Sequence, residues 1–134
     1  MLTGRVVASQ TGSEVIATVE VSEPASEFAP HPFVVDTGFS DYLVRRVGDL
    51  DSYGGLTTKV RIALVDGSTI ECWQGHMDVR IQGRVRRQLR CIYVGPRNLI
   101  GIRFLEGAEI QGVVEVDQDL TVTVPDEWFK RPLA

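Results

Sequence analysis

The sequence predicts a mostly β fold closed into a barrel or sandwich. Short β-branched apolar runs alternate with polar residues, turn-forming tripeptides separate these runs at close spacing, and helix-like stretches are few. A chain of 134 residues can bury one core but not two, so residues 1–134 are read as a single domain.

Taken in order, Val15 to Val21 reads as a first clear strand after a turn at Thr11-Gly12-Ser13. Residues 22–32 carry Pro24, Pro30 and Pro32, which supply no ladder donors, so a surface loop is expected there. Phe33-Val34-Val35 is an apolar strand that runs into Asp36. Leu43 to Leu50 reads as helix-like, Val60 to Val65 and Val79 to Ile81 as strands, and Arg103 to Ala108 as a short helical turn. Turn signals at Asp66-Gly67-Ser68, Gln82-Gly83-Arg84, Gly95 to Asn98 and Asp117 to Asp119 separate these elements. Val113 to Val116 and Leu120 to Val124 are the last expected strands. Residues 125–134 form a C-terminal extension whose Trp128 and Phe129 either fray or pack across a subunit boundary.

Hydrophobic residues at 43% and charged residues at 24% are the balance of a folded, soluble protein. A net charge of -4 and a pI near 5.1 argue against nucleic acid and anionic membrane as partners. The basic stretch Arg84 to Arg90 is a local exception, read as a solvated strand face. The N-terminus lacks the apolar core of a secretory signal and no segment has the apolar length of a membrane span, so a cytoplasmic protein is expected. Cys72 and Cys91 lack CxxC spacing and are expected as buried, reduced thiols.

Asp36 carries the chemistry. It places a carboxylate where an apolar strand gives way to a turn, followed by Thr37, whose hydroxyl can brace the loop, and Gly38, which permits close backbone approach. Asp-Thr-Gly alone is a weak signal. Its context is more specific: the strand Phe33 to Val35 before it, the hairpin turn Asp66-Gly67-Ser68, and the segment Asn98-Leu99-Ile100-Gly101 further on.

In this order the features resemble the retropepsin-like family of aspartic proteases over Phe33 to Val124, and look most similar to small bacterial and archaeal members. The resemblance implies a mostly β, closed barrel with a flap hairpin and one or two short helices. It assigns the flap tip to Val65, Asp66, Gly67 and Ser68, within a hairpin from Val60 to Trp73, and packing behind the catalytic loop to Leu99, Ile100 and Gly101. Asp36 would be the catalytic residue, with Thr37 and Gly38 supporting its loop.

This chemistry needs two carboxylates sharing a proton, one a base toward water and the other an acid toward the scissile carbonyl. The chain has one such motif, and Leu99-Ile100-Gly101 supplies no second acid. The resemblance therefore implies a homodimer about a two-fold axis, with a polypeptide substrate lying extended between floor and flap. Two adjacent carboxylates cannot both ionise without repulsion, so activity is expected at acid to mildly acid pH.

Phe39 is bulkier than the residue usual after the motif in viral members, and a place in the barrel core is expected for it. Asp66 would favour basic substrates if it faced the cleft, although a turn role is the commoner one. His31, Asp36, Cys72 and His76 match no metal-ligand spacing, and no metal or other cofactor is expected. Gly-x-Ser-x-Gly is absent and neither cysteine has a catalytic setting, which leaves activated water as the nucleophile. The rival reading is a retropepsin-like dimer without turnover that binds peptides or serves in assembly.

Overall fold

Alternating buried and exposed residues make the strands, and they do so over most of the chain. The computed structural model describes all residues except Thr11, Ala25, Val65, Leu133 and Ala134. Ten strands are described: β1 (Leu2–Ser9), β2 (Gly12–Ser22), β3 (Ala29–Val35), β4 (Leu43–Arg45), β5 (Thr58–Ala63), β6 (Thr69–Ile81), β7 (Arg84–Tyr93), β8 (Leu99–Ile100), β9 (Glu109–Gly112) and β10 (Asp119–Thr123). One single-turn helix, α1 (Ile102–Leu105), and two 3-10 helices, Val47–Ser52 and Asp126–Lys130, complete it.

The strands run β5-β6-β7-β4-β8-β3-β2-β1-β10-β9, and a further pairing of β2 with β6 closes the middle into a ring. The closing contacts are Glu20 opposite Arg80, Val21 opposite Val79 and Ser22 opposite Asp78. Closure removes the edges of the six ring strands, leaving β5 on one side and β1-β10-β9 on the other as extensions. Inside lie Phe33, Leu43, Met77, Val79, Leu89, Tyr93 and Ile100, with Phe104 and Trp128 closing one end. The turn joining β6 to β7 has two residues, Gln82 and Gly83, with φ of 49° and 80°, the left-handed pair that matches strand twist in a tight hairpin.

Several local expectations give way to long-range pairing. Residues 29–32 are not loop, because β3 pairs antiparallel with β2 from Ala29 opposite Val21 onward. The prolines are tolerated by parity. The Val34 N–H points away from β2 and donates to the Asn98 carbonyl at 2.9 Å, and residues 30 and 32 share that orientation, so no ladder donor to β2 is lost. Leu43 to Arg45 is strand rather than helix, since β7 and β8 flank it; the helical turn starts only at Val47. Val113 to Val116 is not a strand: the chain turns at Gly112, φ 140°, the Glu115 N–H donates to the Val113 carbonyl at 2.9 Å, and the chain returns to β1 only where the Asp117 N–H donates to the Val6 carbonyl at 2.9 Å.

The C-terminal segment packs on its own chain. Trp128 is fully buried, its indole N–H donates to the Phe104 carbonyl at 2.7 Å, and its ring meets Phe104 edge-on at 5.1 Å. The basic stretch is only partly a solvated face. Arg84, Arg87 and Arg90 pair with Asp126, Asp78 and Asp41, whereas Arg86 is buried with its guanidinium 4.7 Å over the Trp128 ring. Cys72 and Cys91 are free and buried, and burial pushes the Cys91 thiol up. No helix among the described residues is long and apolar enough to cross a membrane.

Candidate active site

Asp36 stands at the exit of β3, where the apolar run ends. Val34 and Val35 pair in parallel with Leu99 and Ile100 of β8, and the Asp36 N–H donates to the Ile100 carbonyl at 2.9 Å. The chain then turns, with the Phe39 N–H donating to the Asp36 carbonyl at 3.1 Å. Gly38 donates its N–H to Asp36 Oδ1 at 3.0 Å, a side-chain turn that fixes the carboxylate against its own loop. A Cβ at position 38 would sit 3.2 Å from that oxygen, so glycine is what lets the carboxylate approach. Asp36 is half-buried, and Thr37 and Gly38 are exposed.

Leu99, Ile100 and Gly101 lie behind this loop. β8 is held between β3 and β4, with Leu43 opposite Ile100 and Val44 opposite Leu99. The Gly101 N–H donates to the Tyr42 carbonyl and the Ile102 N–H to the Phe39 carbonyl, both at 2.9 Å.

A buried polar bracket holds β8 in place. Asn98 Oδ1 accepts from Arg45 Nη1 at 3.2 Å and from the Arg46 N–H at 3.0 Å, while its Nδ2 donates to the Pro32 carbonyl at 3.1 Å. One side chain thus ties β3 to β4 across β8. Arg45, buried, also pairs with Glu23 at 2.9 Å and Asp49 at 3.3 Å. Glu23 accepts the Tyr93 hydroxyl, and burial, with Cys91 and Glu23 nearby, pushes the Tyr93 hydroxyl up, so it stays a donor. The sequestered charge is offset by the Glu23 and Asp49 carboxylates and by Asn98, although the buried Arg45 Nε itself makes no hydrogen bond. Sequence reading took Asn98 as a turn residue and passed over Arg45; a lone polar residue ahead of the apolar pair Leu99-Ile100 was the available signal.

A cavity of about 510 Å³ opens at Asp36 and Gly38, lined also by Phe39, Ser40 and Asp41 and by Ile62, Ala63 and Leu64 of the β5–β6 hairpin. Phe39, Ile62 and Leu99 also line a second cavity of about 310 Å³ that continues past Val44 and Val94 and is almost wholly carbon-lined. Phe39 is therefore a cleft wall rather than a core residue. Its backbone leads straight out of the Asp36 turn and Gly101 leaves room for its ring, since a Cβ there would meet Phe39 Cδ2 at 2.6 Å.

At the hairpin tip, Leu64 N–H donates to the Ser68 carbonyl at 2.8 Å and Gly67 N–H to the Leu64 carbonyl at 3.0 Å. Asp66 Oδ1 accepts from the Ser68 N–H at 2.9 Å and from the Ser68 hydroxyl, which holds the exposed Asp66 carboxyl below its ordinary range. The Asp66 carboxylate is thus engaged in its own turn. Val65 lies outside the described residues.

The other acid on the cavity wall, Asp41, pairs with Arg90 and accepts its neighbouring Tyr42 N–H at 2.8 Å, so it is committed structurally. A larger hollow of about 560 Å³, between Glu23, Tyr53, His76 and Asp78, lies elsewhere and does not include Asp36. Among its polar groups, Asp78 accepts from the Gln88 N–H and pairs with Arg87, and the Tyr53 hydroxyl bonds to the His76 backbone. Among the described residues no three His, Cys, Asp or Glu side chains are grouped as metal ligands.

No family model matches this chain, and no curated protein matches it in sequence. Solved structures do match. A retropepsin-like aspartic protease from Rickettsia conorii superposes with a TM-score of 0.56 at 18% identity, covering 86% of each chain. EIAV protease complexed with the inhibitor HBY-793 superposes with a TM-score of 0.53 at 17% identity, covering 75% of this chain and 92% of that one. The fold is retropepsin-like.

The retropepsin-like barrel explains why residues far apart in sequence meet at Asp36. Its ring order brings β8 between β3 and β4, and residues of its β5–β6 hairpin share a cavity lining with Asp36. The expected mostly β class, closed ring, hairpin and short helices are all present.

Proposed function

We propose that this chain is an aspartic endopeptidase that works as a homodimer, with Asp36 of each subunit forming one catalytic pair. The observation that carries this reading is a single rigid carboxylate, Asp36, held by the Gly38 N–H and opening on a cavity that a hairpin helps to line. The printed names of the matching structures, a retropepsin-like aspartic protease and a viral protease with an inhibitor bound, support the same chemistry.

The ionised carboxylate of one Asp36 removes a proton from water as the water oxygen bonds to the scissile carbonyl carbon. The protonated Asp36 of the partner subunit gives its proton to the carbonyl oxygen, leaving a neutral gem-diol. Collapse of the diol breaks the C–N bond: the now protonated Asp36 gives its proton to the leaving amine while the ionised Asp36 of the partner subunit takes one from a diol hydroxyl, which restores the pair. Gly38 orients the carboxylate, and Thr37, exposed beside it, braces the two loops across the axis. The hairpin is the flap: its Ile62 to Leu64 side closes over an extended peptide, which gains main-chain hydrogen bonds as an added strand.

The test compares wild type with Asp36→Asn on a peptide library from about pH 4 to 7, the range in which a shared-proton pair is expected to work. Cleavage by wild type alone supports the reading. Equal turnover by both, or none by a folded wild-type dimer, rejects it.

A further inference from the structure

We infer that Arg97 makes the cleft selective for a peptide with an acidic side chain, glutamate above all, close to the scissile bond. The inference deepens the reading above and rests on it for the peptide's place in the cleft. The charge preference itself stands on separate observations.

The cavity at Asp36 and its carbon-lined neighbour share Phe39, Ile62 and Leu99, so a side chain beside the scissile bond can enter the second from the first. Among the described residues that line the two, only Asp36, Asp41 and Arg97 carry charge. Asp36 is reserved for the chemistry, and Asp41 is paired with Arg90. Arg97 is the one charged residue on the carbon-lined side, set among Phe39, Val44, Val94 and Leu99. Asp66, the residue expected to favour basic substrates, is engaged with Ser68 in its own turn. The charge that lines the subsite is therefore positive.

The backbone on either side fixes where Arg97 stands. Gly95 takes φ 69° and its carbonyl accepts the Val47 N–H at 2.9 Å, Pro96 has a ring-restricted φ, and Asn98 is bonded to Pro32, Arg45 and Arg46. The Arg97 side chain is 50% exposed, as expected when a methylene stem covers apolar surface and the charged head stays in reach of water. Its Nη2 donates to Glu14 of β2. That bond holds the Glu14 carboxyl below its ordinary range, so the pair persists at mildly acid pH. A guanidinium has five N–H donors in a planar fork, and the bond to Glu14 uses one nitrogen, which leaves the fork able to receive a second carboxylate.

Glutamate suits both halves of this subsite. Its methylenes meet carbon, and its carboxylate meets the fork, where charge-assisted hydrogen bonds are strong. Aspartate has one methylene fewer with which to fill the same depth. Lysine and arginine bring a like charge to Arg97, and glutamine has the shape of glutamate without the charge. Glu14 limits the preference, because it competes for the same guanidinium.

The test uses peptide libraries that differ only in glutamate, glutamine or lysine at one central position, taken in turn, at about pH 6, where a free glutamate side chain is ionised. Turnover is read with Asp36 intact and binding by fluorescence anisotropy with Asp36→Asn, each alone and with Arg97→Gln, Arg97→Lys or Glu14→Gln. At the responsive position glutamate should be favoured over glutamine about 10-fold, the order of one hydrogen bond to a charged group. Arg97→Gln should abolish the preference, Arg97→Lys should keep part of it, and Glu14→Gln should raise it. A wall acting only by shape would not respond in opposite directions to Arg97→Gln and Glu14→Gln. Unchanged far-UV circular dichroism shows that the variants fold. No preference in the parent at any position, or one that Arg97→Gln leaves standing, overturns the inference. Glutamate-selective binding without turnover rejects the enzyme and keeps the subsite, and turnover without charge preference does the reverse. A folded chain that neither binds nor cleaves any library overturns both.

Discussion

The backbone N–H of Asp36 donates to the Ile100 carbonyl at 2.9 Å, so the acid's position is set by the segment immediately before Gly101. Gly101 has no room for a side chain: a Cβ there would meet Phe39 Cδ2 at 2.6 Å and press harder still on the Asp41 carbonyl. Gly101→Ala should therefore destabilise the fold by about 1–3 kcal/mol, the usual cost of overpacking. A fall in the urea midpoint at unchanged slope is the expected result, and an unchanged midpoint would show that the loop yields freely.

Asn98→Ala removes one acceptor shared by Arg45 and Arg46 and one donor to Pro32, at a site where Arg45 is almost fully buried. A loss of about 2–4 kcal/mol is expected from the unsatisfied groups. Asn98→Leu, which fills the same volume without polar atoms, should not restore it. Chemical denaturation of the three proteins checks this directly.

Trp128→Ala should cost about 3–5 kcal/mol, because the ring is fully buried, packs on Phe104 and uses its N–H. The effect belongs to the folding of one chain. It should appear in thermal unfolding whether or not the protein is dimeric, and a loss confined to dimerisation would contradict the packing described.

The pH dependence of stability has a definite sign at His31. Burial, then Arg45, lowers its pKa below the ordinary 6.5, against the pull of Glu23 and Asp49. Below about pH 6.5 the unfolded chain takes up a proton that the folded chain refuses. The contribution is thus present above that value and is lost as pH falls through the lower folded value. Urea midpoints at about pH 7.5 and pH 5 should fall more for wild type than for His31→Gln. Equal falls would remove His31 from the account. Stability then declines in the direction in which the proposed chemistry improves.

Much of the site was legible because it is local. A carboxylate after Phe33-Val34-Val35, a glycine two residues on, and Asp66-Gly67-Ser68 between two strands announce their turns within a few residues of chain. The helix-like pattern of Leu43 to Leu50 misled for the complementary reason: three of its residues take strand geometry from β7 and β8, which lie more than 45 positions further along.

Phe39 and Trp128 show what only partners decide. Each is an aromatic residue that sequence alone leaves free to go to core, cleft or interface. The space above Gly101 sends Phe39 to the cleft wall, and the Phe104 carbonyl draws Trp128 inward. Pro30 and Pro32 join a strand because their donorless side faces away from β2, and at Pro32 that side meets Asn98.

By itself, then, the sequence determined a mostly β chain with one acid at a strand end, since strand period and turn chemistry are properties of neighbouring residues. The tertiary structure decided that β2 meets β6 to close the ring, that Asn98 and Arg45 clamp the strand behind Asp36, and that β9 is left with an open edge. Those outcomes depend on hydrogen-bond partners and packing volumes supplied from distant positions, which no local pattern encodes.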